Sequence, residues 1–121
     1  MARVEIRDDE LVVNMQGARK LWSFKGELTI PLENVTGATA DAEEWRELKF
    51  TERLTRFGTD TGSYFAGSFT QDGDRVFFDL KSEEEAVVIK TKDERFKRII
   101  IGVDNPAETV ELIEDALNRF N

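Results

Sequence analysis

The sequence predicts a mainly β domain of about seven or eight antiparallel strands, closed by one C-terminal helix at about residues 106–120. Three observations predict it. Short apolar runs alternating with polar residues occupy much of the chain up to Val103. From Gln71 onward turn chemistry recurs about every ten residues, the spacing of an all-β sandwich or barrel. The period then changes: Val110, Ile113, Leu117 and Phe120 follow at helical spacings of three and four, with Ala116 widening the stripe.

Val4 and Ile6, then Leu11, Val13 and Met15, alternate on either side of Arg7-Asp8-Asp9-Glu10, which predicts a hairpin turning at Asp8-Asp9. Between Gly17 and Gly26 the alternation breaks. Leu21, Trp22 and Phe24 cannot share one strand face, so a helical turn or an irregular loop is expected there. Leu28, Ile30 and Leu32 alternate around Thr29 and Pro31. Proline donates no ladder hydrogen bond, so this strand lies at an edge or ends at Pro31. A further strand is expected over Val35 to Ala40. Residues 41–61 fit two readings, a short helix carrying Trp45, Leu48 and Leu54 or a strand over Leu48-Lys49-Phe50-Thr51. Arg56 to Gly62 carries turn chemistry and predicts a loop.

Phe65, Gly67 and Phe69 line one strand face, and Val76, Phe78 and Leu80 continue on a partner. Between them Asp72-Gly73 supplies the positive φ of a tight hairpin. Ser82 to Glu85 reads as a turn, Ala86 to Thr91 as a strand and Lys92-Asp93-Glu94 as another turn. In the last strand, Phe96 to Val103, Ile99-Ile100-Ile101 is continuous, which predicts burial on both faces or under a cap. The helix start has a mechanism at each position. Asn105 caps, Pro106 suits the first helical residue and Glu108 completes a capping box. Glu108 and Glu111 suit the positive end of the helix dipole, and Arg119 the negative end. The helix should close the β strands into one domain, with Leu117 and Phe120 of its apolar stripe buried.

The 121 residues carry no internal repeat and no linker, so one domain over 1–121 is expected. Cysteine and histidine are both absent. That removes disulfides, thiolate ligands, thiol nucleophiles, the commonest general base and the commonest metal ligand. A net charge of −8 and a pI near 4.6 argue against nucleic-acid binding and strong membrane binding. The sequence has no apolar run that reads as a signal peptide or a membrane span, and a cytoplasmic location is expected.

The Leu28-to-Leu32 and Val35 strand pair, the Gly58-Thr59, Gly62 and Gly67-Ser68-Phe69 series running into Gly73 and Phe78, and the Ile99-to-Pro106 approach to the helix resemble the bacterial pleckstrin-homology-like proteins. The resemblance covers nearly the whole chain except Glu47 to Thr55. It implies two nearly orthogonal antiparallel sheets forming a bent barrel, or sandwich, with the helix in one open end. Folds of this kind serve as protein-binding or assembly modules as often as lipid readers. Eukaryotic pleckstrin-homology domains that hold phosphoinositides use a basic first hairpin, whereas the matching turn here, Arg7-Asp8-Asp9-Glu10, is acidic on balance, which argues against that ligand.

Residue chemistry offers several candidate sites. Arg19, Lys20 and Lys25 flank Leu21-Trp22-Ser23-Phe24, and Arg19, Lys20, Trp22 and Lys25 form the candidate contact set for a partner or anionic ligand. The blander reading puts an aromatic in the core and leaves the cations solvated. Lys90, Lys92, Arg95, Lys97 and Arg98 form a second basic patch, read as lysines guarding a strand edge. The glycines from 58 to 67 lack the lysine and spacing of a phosphate loop, and read as backbone permissiveness at a bend. Asp72-Gly73-Asp74 is too short for a calcium loop, and Glu83-Glu84-Glu85 reads as a solvated turn. The serines have no histidine and no nucleophile elbow. No catalytic, cofactor-binding or metal residues are therefore expected. The expected function is protein–protein interaction or homo-oligomerisation, with an anionic small ligand or lipid headgroup at the open barrel mouth as the alternative.

Overall fold

Two aspartates can turn a chain tightly because Asp tolerates the left-handed backbone region, and Asp8 lies there at φ 57°. Its turn joins β1 (Ala2–Arg7) to β2 (Glu10–Met15), antiparallel with Arg7 opposite Glu10. β3 (Glu27–Pro31) pairs antiparallel with β2 and ends at its proline, completing a three-stranded sheet in the order β1-β2-β3. The computed structural model describes residues 2–15, 27–40, 57–60, 64–71, 73–81 and 86–120. Both readings of residues 41–56, and the candidate contact residues Arg19, Lys20, Trp22 and Lys25, lie outside the described residues.

A 3-10 turn (Leu32–Asn34) carries the chain into the second sheet. That sheet is built from β4 (Val35–Thr39), β5 (Phe57–Asp60), β6 (Tyr64–Gln71), β7 (Asp74–Lys81), β8 (Ala86–Thr91) and β9 (Arg98–Gly102). Their order is β4-β8-β9-β7-β6-β5. Backbone bonds lash this turn to both sheets: Leu32 N–H donates to the Asp9 carbonyl at 2.8 Å, and Lys92 N–H to the Asn34 carbonyl at 2.8 Å. The single α-helix among the described residues, α1 (Pro106–Phe120), follows β9 and packs on β4, β1, β8 and the 3-10 turn.

Three expectations are corrected by this topology. The sheets do not close into a barrel: β1, β3, β4 and β5 are edges among the described residues. The ladder is not wholly antiparallel, because β9 inserts between β7 and β8 and runs parallel to β7, Phe77 opposite Ile99. A strand that is apolar on both faces belongs in the middle of a sheet, and burial of both faces favours parallel pairing. Finally, Phe57–Asp60 is a strand and not a loop, with Gly58 opposite Gly67. Glycine is a poor strand former by itself, but ladder pairing with β6 overrides that local preference.

The two faces of the second sheet hold two apolar clusters. Ile99 and Ile101 point with Phe77, Val87 and Ile89 into the main core, facing Leu11, Val13 and Ile30 of the first sheet and Ile113, Ala116 and Leu117 of α1. Ile100 points the other way, with Val76, Phe78, Ala86 and Val88. The continuous isoleucine run is thus buried on both faces, as its pattern predicts. Phe96 and Val103 are buried just outside the strand itself, which spans Arg98–Gly102.

The helix cap forms through Asn105, whose Oδ1 accepts the Glu108 N–H at 3.1 Å. Leu117 is 8% exposed, but Phe120 is 40% exposed, contrary to expectation. Phe120 is the last helical residue. The core stripe ends one turn earlier at Ala116 and Leu117, so the final turn overruns the sheets it covers.

Candidate functional site

The helix splits its faces among three tasks. Ile113, Ala116 and Leu117 enter the core. Glu114 reaches edge strand β4, where its Oε2 accepts the Ala38 N–H at 3.2 Å and so closes an edge donor that pairing leaves over. Glu108, Glu111, Leu112 and Asp115, again spaced three and four apart, form one wall of a cleft of about 530 Å³. The other wall is the start of β1, and Val103, Asp104 and Asn105 complete the lining.

Ala2, Arg3 and Val4 all line this cleft. Consecutive strand residues point to opposite faces, so a cleft touching all three runs along the strand's edge and not over one face. No other described strand pairs with that edge. The hydrogen-bonding parity of β1 follows from the hairpin. Arg7 and Glu10 flank a two-residue turn and form the bonded pair, so Glu5–Val12 and Arg3–Asn14 are bonded pairs as well. Asp9 supports this parity, since its carbonyl accepts from Leu32 beyond the far side of β2. The backbone groups of Val4 and Ile6 therefore point away from β2, out along the edge that no described strand covers.

The cleft is acidic. Asp104, Glu108, Glu111 and Asp115 against Arg3 leave its lining at net −3. Leu112, 38% exposed, supplies an apolar patch on the helix wall. Arg7 bridges Glu5 and also lies 3.7 Å from Glu27. The Glu5 hydrogen bond, joined by its charge and then by Glu27 and Glu10, raises the Arg7 pKa above its ordinary value, partly opposed by desolvation.

The second basic patch is not where an edge guard would be. Lys90 and Arg98 face each other on β8 and β9, both interior strands. Arg95 lies over the Phe96 ring at 5.2 Å and Arg75 at 5.8 Å, while Phe96 meets Phe77 at 5.4 Å in the core. These arginines thus stack on a core ring. A cavity of about 90 Å³ lies beside them, lined by Leu28, Ile30, Arg95 and Phe96 among others. The connection is held by Thr91, 3% exposed, whose hydroxyl donates to the Phe96 carbonyl at 2.6 Å, and by Asn34 donating to Glu94 Oε2 at 2.6 Å.

Sequence reasoning missed the cleft, Arg75 and Asp79. Asp79 is 1% exposed in β7 and is engaged by its neighbours, though its Oδ2 accepts no hydrogen bond among the described residues. The cleft has a legible signal: Glu108, Glu111 and Asp115 make an acidic helix stripe beside the apolar one, a pattern that helix-dipole and solvation arguments absorb without calling for a cleft. Among the described residues no group of three or more His, Cys, Asp or Glu is placed to hold a metal ion, and no helix is long and apolar enough to cross a membrane. No protein-family model, curated protein or solved structure matches the chain.

Proposed function

We propose that this chain is a non-enzymatic binding module of pleckstrin-homology-like type whose partner is another protein. The observation that carries the reading is the cleft between β1 and α1, where a sheet edge that no described strand covers, an exposed leucine and a charged helix face meet. Its volume falls within the range of about 300–1,000 Å³ usual for ligand sites. Its walls, however, are a strand edge and a helix stripe, surfaces that suit a length of polypeptide better than a compact small molecule. Two packed sheets with a C-terminal helix over their junction support the family likeness; the parallel β7–β9 pair and the open edges are where this chain departs from it.

Selection of peptides from a random library against the immobilised protein tests this reading. Peptides that bind the wild type should lose affinity for Leu112→Gln, an exposed, charge-neutral substitution that leaves the core untouched. If no selected peptide distinguishes Leu112→Gln from wild type, the cleft is not the interaction surface. Light scattering near 13.9 kDa across concentration would add that the partner is not a second copy.

A further inference from the structure

From the charge and hydrogen-bonding parity of the cleft we infer that its occupant is an extended, basic segment of a partner protein, which adds to β1 as a fourth strand of the first sheet. The inference rests on the binding-module reading and names the partner's chemistry.

Backbone geometry sets the conformation. Val4 and Ile6 present one N–H and one C=O each along an edge that no described strand covers. Strand addition satisfies such groups in register, whereas a helix or a folded surface cannot. α1 stands beside that edge as a side wall, so alternate side chains of an added strand meet the stripe of Glu108, Glu111, Leu112 and Asp115.

Charge sets the composition. The lining carries net −3, and Glu111 and Asp115 are like charges at i,i+4, an arrangement that weakens a helix. Folding does not require that pairing; a cationic ligand would relieve it. A second copy of the chain would bring the same acidic lining and an overall charge of −8, so self-pairing here sets like charge against like. Alternating lysine or arginine with β-branched residues meets both demands, since cations reach the helix wall while valine or threonine keeps the strand extended.

The test is fluorescence anisotropy with a short labelled peptide alternating valine and lysine. Two control peptides are used: one with glutamate for lysine, and one with proline for alternate valines, which keeps the charge but cannot pair. The lysine–valine peptide should bind, the controls should not, and affinity should fall as salt rises from about 20 to about 200 mM, where screening shortens to about 7 Å. Charge reversal in Glu111→Lys/Asp115→Lys should weaken binding about tenfold. The milder Glu111→Gln/Asp115→Asn pair should do so in part, and both pairs keep the helical circular dichroism. On binding, the Val4 and Ile6 amides should become protected from exchange. Equal binding of the proline peptide would overturn strand addition, and indifference to both charge variants would overturn the basic occupant. If the lysine–valine peptide fails while library peptides still respond to Leu112→Gln, this inference falls and the binding module stands. If nothing responds to Leu112→Gln, both fall.

Discussion

Truncating the helix stripe one residue at a time should give a graded loss of stability that maps how α1 closes the main core. Ile113 is 0% exposed, Leu117 8% and Phe120 40%. A fully buried isoleucine or leucine cut to alanine loses its transfer free energy and leaves a cavity, together about 2–5 kcal/mol. Ile113 packs among residues of both sheets, so little can collapse into its space, and Ile113→Ala should cost about 3–4 kcal/mol, clear of the lower end of that range. Leu117→Ala should cost about 2–4 kcal/mol, because its rim position lets water or neighbours fill part of the gap. Phe120→Ala should cost less than about 1 kcal/mol, since the ring is already largely hydrated. In a domain of this size 1 kcal/mol moves the Tm by about 4 °C, so the three variants should melt about 12–16, 8–16 and under 4 °C below wild type. Urea denaturation followed by circular dichroism at constant m-value measures the series. A Phe120→Ala loss equal to that of Ile113→Ala, or an Ile113→Ala change within about 0.5 kcal/mol of zero, would refute the placement of the helix over the junction of the sheets.

Three further substitutions test local devices. Asn105→Ala removes the oxygen that accepts the Glu108 N–H and should cost about 1 kcal/mol by urea denaturation, with Asn105→Asp restoring most of it. Thr91→Val keeps the shape but deletes the hydroxyl that donates to the buried Phe96 carbonyl. It should cost about 1–3 kcal/mol, while Thr91→Ser should cost less if the bond is what matters. Gly73 has φ +87° and open space where a Cβ would stand, so Gly73→Ala should cost about 1 kcal/mol from backbone strain alone, and Gly73→Asn less.

What the residues declare depends on how local its cause is. The Asp8-Asp9 hairpin, the β6–β7 hairpin around Gly73, the proline-ended strand and the Asn105 cap each depend on neighbours within a few positions, and each is legible. The two-faced burial of Ile99 to Ile101 is legible because an unbroken apolar run has no polar face to expose. The insertion of β9 between β7 and β8 is not, since it is decided by which distant strand offers the better-buried neighbour. β5 is hidden by its glycine for the same reason. Phe120 continues the helical period, but periodicity says which face a residue is on and not where the covering sheet ends. The cleft is the least legible feature. It needs β1 and α1, from opposite ends of the chain, to lie side by side, and each of its carboxylates taken alone is an ordinary surface residue.

The most direct measurement is amide hydrogen exchange along β1 in the free protein. With an open edge, the Val4 and Ile6 amides should exchange at least about tenfold faster than those of Glu5 and Arg7, which bond to β2. Uniform slow exchange from Val4 to Arg7 would mean that the edge is already covered, and the account of the cleft as a strand-accepting site would be wrong.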